Sequence, residues 1–471
     1  MEPAFDYLVV SDLHLRGGFN NPTQGLYHFD EEFADFLRYY RLHRSPSQRW
    51  RLVIGGDFIE FLYITDLPNP SDRLLRGARF GESEYRYGAN TEAQKSRWKL
   101  DTILRSGHPQ LLLALARFVL DGNEIVILRG NHDIEMSWPE VQEHFRRLIA
   151  EHHPADVAYM TMKELVAERV QFPEWFYVRP GEVYVEHGSQ YDPFCATQHV
   201  LYPVVPGAPQ HVQFSIGELA IRYFTNQMKL INAMAAENIM SVSEYIVWVF
   251  RGNLGAMPRI ARLYVGMVRR ILAKSGRPEP DAERRVRVVH EQRVTAVDER
   301  FGLPRGTATA VDAMRARPVM RRRWAAVRFL ALDVLATGLG LVVAAIAILV
   351  WFPARSAWLV VLGVSALLGL IGYAFALRMR RITEVVGLRR TADRIARLFG
   401  VRYVVLGHSH AAGSWALANG TTYVNVGTWV PDGSEGFFVY FKITEHDGRR
   451  EGRLWRWNKR KVKPEPFGAP G

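Results

Sequence analysis

The sequence predicts an α/β protein built in layers. Two observations carry that prediction. Short apolar, β-branched runs alternate with helical patterns along the chain. Five of those runs also end in a polar segment made of Asp, His, Asn and Gly. Layered α/β folds collect their sites at the ends of strands, so one shared site is expected there.

The first run, Tyr7 to Val10, ends in Ser11-Asp12-Leu13-His14-Leu15. A helix follows over Phe29 to Leu42, with Phe33, Phe36, Leu37 and Tyr40 at helical spacing. The second run, Arg51 to Ile54, ends in Gly55-Gly56-Asp57-Phe58-Ile59-Glu60. Residues 65–98, rich in Gly, Pro, Arg and Asn, read as a long loop. A helix from about Gln110 to Leu120 leads into the strand Glu124 to Leu128, which ends in Arg129-Gly130-Asn131-His132-Asp133. The strand Glu182 to Val185 ends in Glu186-His187-Gly188-Ser189-Gln190-Tyr191-Asp192. The last run, Val401 to Leu406, ends in Gly407-His408-Ser409-His410.

Composition bounds the class. The 471 residues are 48 % hydrophobic and 23 % charged, enough for a large core and against disorder. The formal charge of +12 favours an anionic partner: a phosphorylated substrate, nucleic acid or an anionic membrane surface. Cys195 is the single cysteine, so no internal disulfide is possible. The chain starts almost directly in a strand, and no cleavable signal peptide is expected.

Each polar motif has an ordinary structural reading on its own. Asp12 can cap a turn, Asn131 suits a left-handed turn, and a lone His187 suits a buried hydrogen bond. Five differently composed motifs, all at strand ends, favour a shared metal centre over five coincidences. Carboxylate, imidazole and amide oxygen together suit Mn, Fe, Zn or Co. A pair of such ions can clamp a phosphoryl group and activate water at neutral pH.

The ordered set Asp12-Leu13-His14, Gly56-Asp57-Phe58-Ile59-Glu60, Gly130-Asn131-His132-Asp133, His187-Gly188 and Gly407-His408-Ser409-His410 resembles the calcineurin-like metallophosphoesterase superfamily. The likeness covers about 5–195 and 400–445. It implies a four-layer α-β-β-α sandwich and two divalent ions, Mn foremost. Asp12, His14 and His410 would hold one ion and Asn131, His187 and His408 the other, with Asp57 bridging. His132 would be the general acid, oriented by Glu60, where many relatives carry Asp. Asp133 would support the turn. Protein serine/threonine phosphatases of that superfamily follow the bridging motif with Asp-Arg-Gly; Phe61-Leu62 after Glu60 argues against that group. The first two motifs look like those of UDP-2,3-diacylglucosamine hydrolases, which are shorter and carry Arg where this chain has His132. Arg16, Gln190, Tyr191 and Asp192 are candidate substrate contacts.

The likeness divides the chain into a first catalytic part, 1–195, and a second, 400–471. Between them lie a helical, basic insertion (196–328), a hairpin region (329–377) and a helical return (378–399). Residues 274–323 are strongly basic, part of them read as a loop. Runs 334–352 and 357–377 are uncharged, apolar and long enough to span a bilayer. Arginines flank both outer ends, and the connector holds only Arg355. These features predict a transmembrane hairpin and a multi-pass inner-membrane protein with its catalytic domain in the cytoplasm.

The expected activity is hydrolysis of a phosphomonoester or pyrophosphate, on a small-molecule, nucleotide-linked or lipid-linked substrate. Anionic membrane lipids are the second expected partner, with nucleic acid the less favoured one. A metal-dependent phosphodiesterase or nuclease, and a non-catalytic scaffold of the same fold, are the alternatives.

Overall fold

Along β1 (Phe5–Val10) the side chains alternate between two cores. Leu8 and Val10 pack with helical residues such as Phe33, Leu112 and Phe145. Tyr7 and Val9 pack with Val185, Val405 and Val424, which belong to a second sheet. That alternation is the geometry of a strand buried on both faces.

The computed structural model describes Phe5 to Gly468, apart from 18–28, 46, 65–66, 68–77, 229–253, 277, 331–342, 344–345, 348–349, 351–357, 360, 371–382, 432–436 and 447. The further strands are β2 (Arg49–Gly55), β3 (Glu124–Leu128), β4 (Val170–Gln171), β5 (Tyr177–Arg179), β6 (Val183–Glu186), β7 (Val204–Val205) and β8 (Ala208–Val212). They continue with β9 (Tyr403–Leu406), β10 (Gly413–Ala416), β11 (Thr422–Asn425), β12 (Val439–His446), β13 (Arg449–Asn458) and β14 (Lys463–Pro466). One sheet has the order β14-β13-β12-β1-β2-β3-β4, the other β10-β11-β9-β6-β5; β7 and β8 pair separately.

Helices close both outer faces. Asp30–Leu42, Ala93–Gly107, Pro109–Leu120, Pro139–Glu151 and Tyr159–Arg169 cover the seven-stranded sheet. Pro280–Phe301, Thr307–Met314 and Thr383–Phe399 cover the five-stranded one through Val294, Val297, Val311, Ala392 and Ile395. The layers run helix, sheet, sheet, helix.

Strand register positions the site. Val10 of β1 lies opposite Ile54 of β2, and Gly55 of β2 opposite Leu128 of β3, all in parallel. In the other sheet Glu186 of β6 lies opposite Leu406 of β9, also in parallel. The segments that follow these five strands therefore emerge on a common rim, which is where parallel strands deliver ligands.

The transmembrane hairpin expected from the sequence is corrected here. No helix among the described residues is long and apolar enough to cross a membrane. The expected spans, 334–352 and 357–377, fall largely outside the described residues. Among the described residues the fold class is therefore a mixed α/β sandwich, and the expected transmembrane hairpin is not supported. The multi-pass inner-membrane placement, with its cytoplasmic orientation, rested on that hairpin and is corrected with it.

Two smaller expectations also change. The long loop over 65–98 contains the helix Glu82–Tyr87 and gives way to the helix Ala93–Gly107. The first turns of that second helix are polar, so periodicity alone hides them; Lys95 is held by Glu84 and Glu92. The basic stretch 274–323 is largely helical, with Pro280–Phe301 at its centre. Its buried residues (Ala282, Val286, His290, Val294, Val297 and Asp298) include a histidine and an aspartate, so the apolar stripe is easily lost among arginines.

Candidate metal centre

Backbone strain marks the rim. Seven described non-glycine residues have a positive φ, and five of them are Asp12 (55°), His14 (47°), Asp57 (48°), His408 (67°) and His410 (56°). Side chains rarely adopt this region, and such residues persist where surrounding bonds enforce them. Here Asp12 N–H donates to Gly56 O at 3.1 Å and His14 N–H to Asp57 O at 2.9 Å. Thr428 Oγ1 donates to Asp12 O at 2.8 Å, and Asn425 Nδ2 to Gly407 O at 2.8 Å.

The side chains converge. His410 Nε2 stands 3.1 Å from Asp12 Oδ1 and 3.2 Å from His14 Nε2. His187 Nε2 stands 3.2 Å from Asp57 Oδ2 and 3.2 Å from Asn131 Oδ1. Asp12, His14 and His410 form one group whose ligand atoms all lie within 4.8 Å of one another; Asp12, Asp57 and His187 form a second. Either group can hold a metal ion.

Two details fit a cation better than a hydrogen-bond network. Asp12 Oδ1 is buried, and although His410 Nε2 stands 3.1 Å and His14 Nε2 3.8 Å from it, neither is aligned for a hydrogen bond. His14 and His410 also point the same nitrogen, Nε2, at each other. Two nitrogens ~2.0–2.1 Å from one tetrahedral ion stand ~3.4 Å apart, close to the spacing found.

No protein-family model and no curated protein matches this chain. The centre is therefore read from its own geometry.

Two glycines of the motifs are needed for close approach. A Cβ at Gly130 would lie 2.1 Å from Asp57 Oδ1, and one at Gly407 would lie 2.4 Å from Asp12 Oδ2. Any side chain at either position would displace the Asp57 or the Asp12 carboxylate.

One carboxylate oxygen orients two imidazoles. Glu60 Oε2 lies 2.7 Å from His132 Nδ1 and 3.0 Å from His14 Nδ1. His14 thereby presents Nε2 to Asp12 and His410, and His132 keeps Nε2 for another partner. Glu60 is fully buried, whereas the His132 side chain is 18 % exposed and within reach of solvent. The His132 N–H also donates to Asp57 Oδ1 at 2.8 Å. Asp133 accepts from Gly130 N at 2.6 Å and Phe58 N at 2.8 Å, so it supports the turn. Beneath it the buried pair Lys99–Glu135, 2.8 Å apart, ties this turn to the helix Ala93–Gly107.

The electrostatics follow from this packing. Burial alone would favour neutral imidazoles, but carboxylates outweigh it. Asp12 and Glu60 raise His14 to about 10. Glu60 and Asp57 raise His132 to about 9, and Asp57 and Asp12 raise His187 to about 9. Burial would likewise raise the Asp12 and Asp57 carboxyls, yet His187 and its neighbours hold both well below the usual range. The centre attracts positive charge, which protons carry when no ion is bound; metal uptake would release them.

The candidate substrate contacts are placed differently. Tyr191 donates its hydroxyl to Glu186 at 2.6 Å, and Gln190 Oε1 accepts from Thr197 N at 3.1 Å. Both brace their own segment. Asp192 Oδ2 faces His408 Nε2 at 3.2 Å. The Arg16 guanidinium lies over the Tyr63 ring at 3.6 Å. His408, expected beside Asn131 and His187, has its ring 5.3 Å from that of His187, centroid to centroid, and its ligand atoms also group with those of Asp192 and Cys195.

Sequence reasoning missed Cys195 and Glu218, and no local motif marks either. Glu218 is fully buried in a capping box with Ser215, and its Oε1 has no hydrogen-bond donor. Burial pushes it up to about 8, against the opposing bonds from Ser215. A carboxyl with a raised folded pKa stabilises most below its unfolded value near ~4.3, and that contribution is lost as pH rises through about 8. Glu218→Gln should therefore melt progressively higher relative to wild type as pH rises from 5 to 8, with a slope difference of at most ~1.4 kcal/mol per pH unit. Parallel melting curves across that range would remove the assignment.

Proposed function

We propose that this chain is a binuclear metal-dependent phosphoesterase of the metallophosphoesterase type, acting on a phosphomonoester or pyrophosphate. The observation that carries the reading is the convergence of Asp12, His14, His410, Asp57 and His187 on one rim, with Asn131 beside His187. The paired sheets with outer helices, which the sequence likeness implied, support it further.

Asp12, His14 and His410 would hold one ion and Asn131, His187 and His408 the second, with the Asp57 carboxylate between them. When bound, a pair of divalent ions, Mn foremost, polarises a phosphoryl group and lowers the pKa of water. His132 supplies the proton for the departing oxygen from Nε2, because Glu60 engages Nδ1. Glu60 keeps that imidazole charged and fixed in direction, and it fixes His14 through the same oxygen. Without the ions the site has no group to polarise the phosphoryl oxygens or to activate water, so activity should be strictly metal-dependent.

The test is to strip the protein with a chelator and restore Mn, Fe, Zn or Co singly. Hydrolysis of p-nitrophenyl phosphate should vanish on stripping and return with Mn. Faster turnover of bis-p-nitrophenyl phosphate would favour a phosphodiesterase or nuclease. Folded, metal-replete protein that is inert to a broad phosphoester panel would sink the enzyme reading and favour a scaffold.

A further inference from the structure

His408 has two ring nitrogens, and the structure commits one of them. Its Nε2 stands 3.2 Å from Asp192 Oδ2. A carboxylate only accepts, so Nε2 must carry the proton. In the neutral ring the lone pair is then on Nδ1, the sole ligand atom His408 has left for the centre.

We propose that Asp192 is the positioning residue for His408: it holds the Nε2–H tautomer and so presents Nδ1 to the second ion. The inference rests on the metal-centre reading above and assigns Asp192 a role there in place of a substrate contact.

The surroundings of Asp192 suit that role. The residue is 6 % exposed. Its second oxygen, Oδ1, accepts from Phe194 N at 2.8 Å, and its carbonyl accepts from Cys195 N at 3.1 Å and Ala196 N at 2.8 Å. The carboxylate is thus held in a tight turn and cannot swing toward solvent without breaking it. His408 is held from the other side by its backbone N–H, which donates to Asp12 Oδ2 at 3.0 Å.

The arrangement also completes a pattern. His14 is oriented through Nδ1 by Glu60, and His187 through Nδ1 by Gly55 O at 3.1 Å. Both of these imidazoles present Nε2 to the centre. His408 is held through Nε2, so it would bind through Nδ1, the other nitrogen of the ring. The outer partner of a ligand imidazole fixes its tautomer and direction, and losing it weakens metal affinity about 10–100-fold. Asp192 would therefore matter to the second ion and leave the first, held by Asp12, His14 and His410, unaffected.

The experiment counts ions by calorimetry on the full chain with Mn2+, and follows the spin-coupled Mn pair by paramagnetic resonance. Wild type should bind two ions and give the coupled signal. Asp192→Ala should keep the first affinity, weaken the second about 10–100-fold and lose the coupled signal at limiting Mn2+. Asp192→Asn keeps an acceptor oxygen without the charge and should fall between, and thermal melts check that each variant folds. Two ions bound to Asp192→Ala with wild-type affinity would overturn the proposal alone; fewer than two in wild type would overturn the metal-centre reading and this proposal with it. Cobalt offers a second arm, since Cys195 Sγ also lies within 4.8 Å of the Asp192 and His408 ligand atoms. A thiolate-to-cobalt absorption band in wild type that Cys195→Ala removes would mean that these three residues bind an ion themselves, and would overturn the positioning role. Absence of that band supports it.

Discussion

Asp57→Ala is expected to lower kcat/KM for metal-dependent phosphoester hydrolysis by on the order of 10³-fold or more. A single lost electrostatic contact in an active site costs ~10²–10³-fold, and Asp57 serves several partners at once. Its Oδ2 lies 3.2 Å from His187 Nε2 and 3.8 Å from His14 Nε2, and its Oδ1 accepts from His132 N at 2.8 Å. It is the carboxylate that touches imidazoles from both expected ion sites, so removing it unlinks them. Asp57→Asn keeps the shape and the bond from His132 N but loses the charge, and should fall almost as far. Rates measured at saturating Mn2+, together with ion counts, check this. Either variant remaining within tenfold of wild type would exclude Asp57 as the bridging ligand.

His132→Gln is expected to lower kcat by ~10²–10⁴-fold for an alkyl phosphate, the range for loss of a general acid or base. The loss should be smaller for p-nitrophenyl phosphate, whose leaving group needs less protonation. Both ions should remain bound, because the proposed ligands are untouched. That last readout is informative, since His132 also has a ligand atom within 4.8 Å of those of His14 and Asp57. Loss of an ion in the variant would make His132 a ligand, and equal losses with both leaving groups would remove the general-acid role.

The candidate site was legible in the sequence to an unusual depth because its residue types sit at strand ends. Strand runs are local signals: Tyr7 to Val10 and Glu124 to Leu128 announce themselves by β-branched and apolar residues alone. The structure places their ends on one rim through the parallel register of β1, β2 and β3 and of β6 and β9. The helical insertion was harder to read. The sparse, partly polar buried stripe of Pro280–Phe301 is too weak a pattern among arginines, and the polar start of Ala93–Gly107 conceals a helix that ion pairs hold in place. The apolar runs at 334–352 and 357–377 led to a transmembrane hairpin, yet no helix among the described residues is long and apolar enough to cross a membrane.

By itself, the sequence determined which side chains the fold brings together: the carboxylates, imidazoles and amide of five strand-end motifs. Only the tertiary structure decided how they are paired. It joined Asp12 to His408 across 396 positions and His14 to His410 across the same interval. It gave one oxygen of Glu60 to two imidazoles, and it turned Asp192 toward His408. The physical reason is range. Strand propensity acts over a few neighbouring residues, whereas the choice of a hydrogen-bond partner depends on distances of ~3 Å that exist only after two sheets have packed face to face.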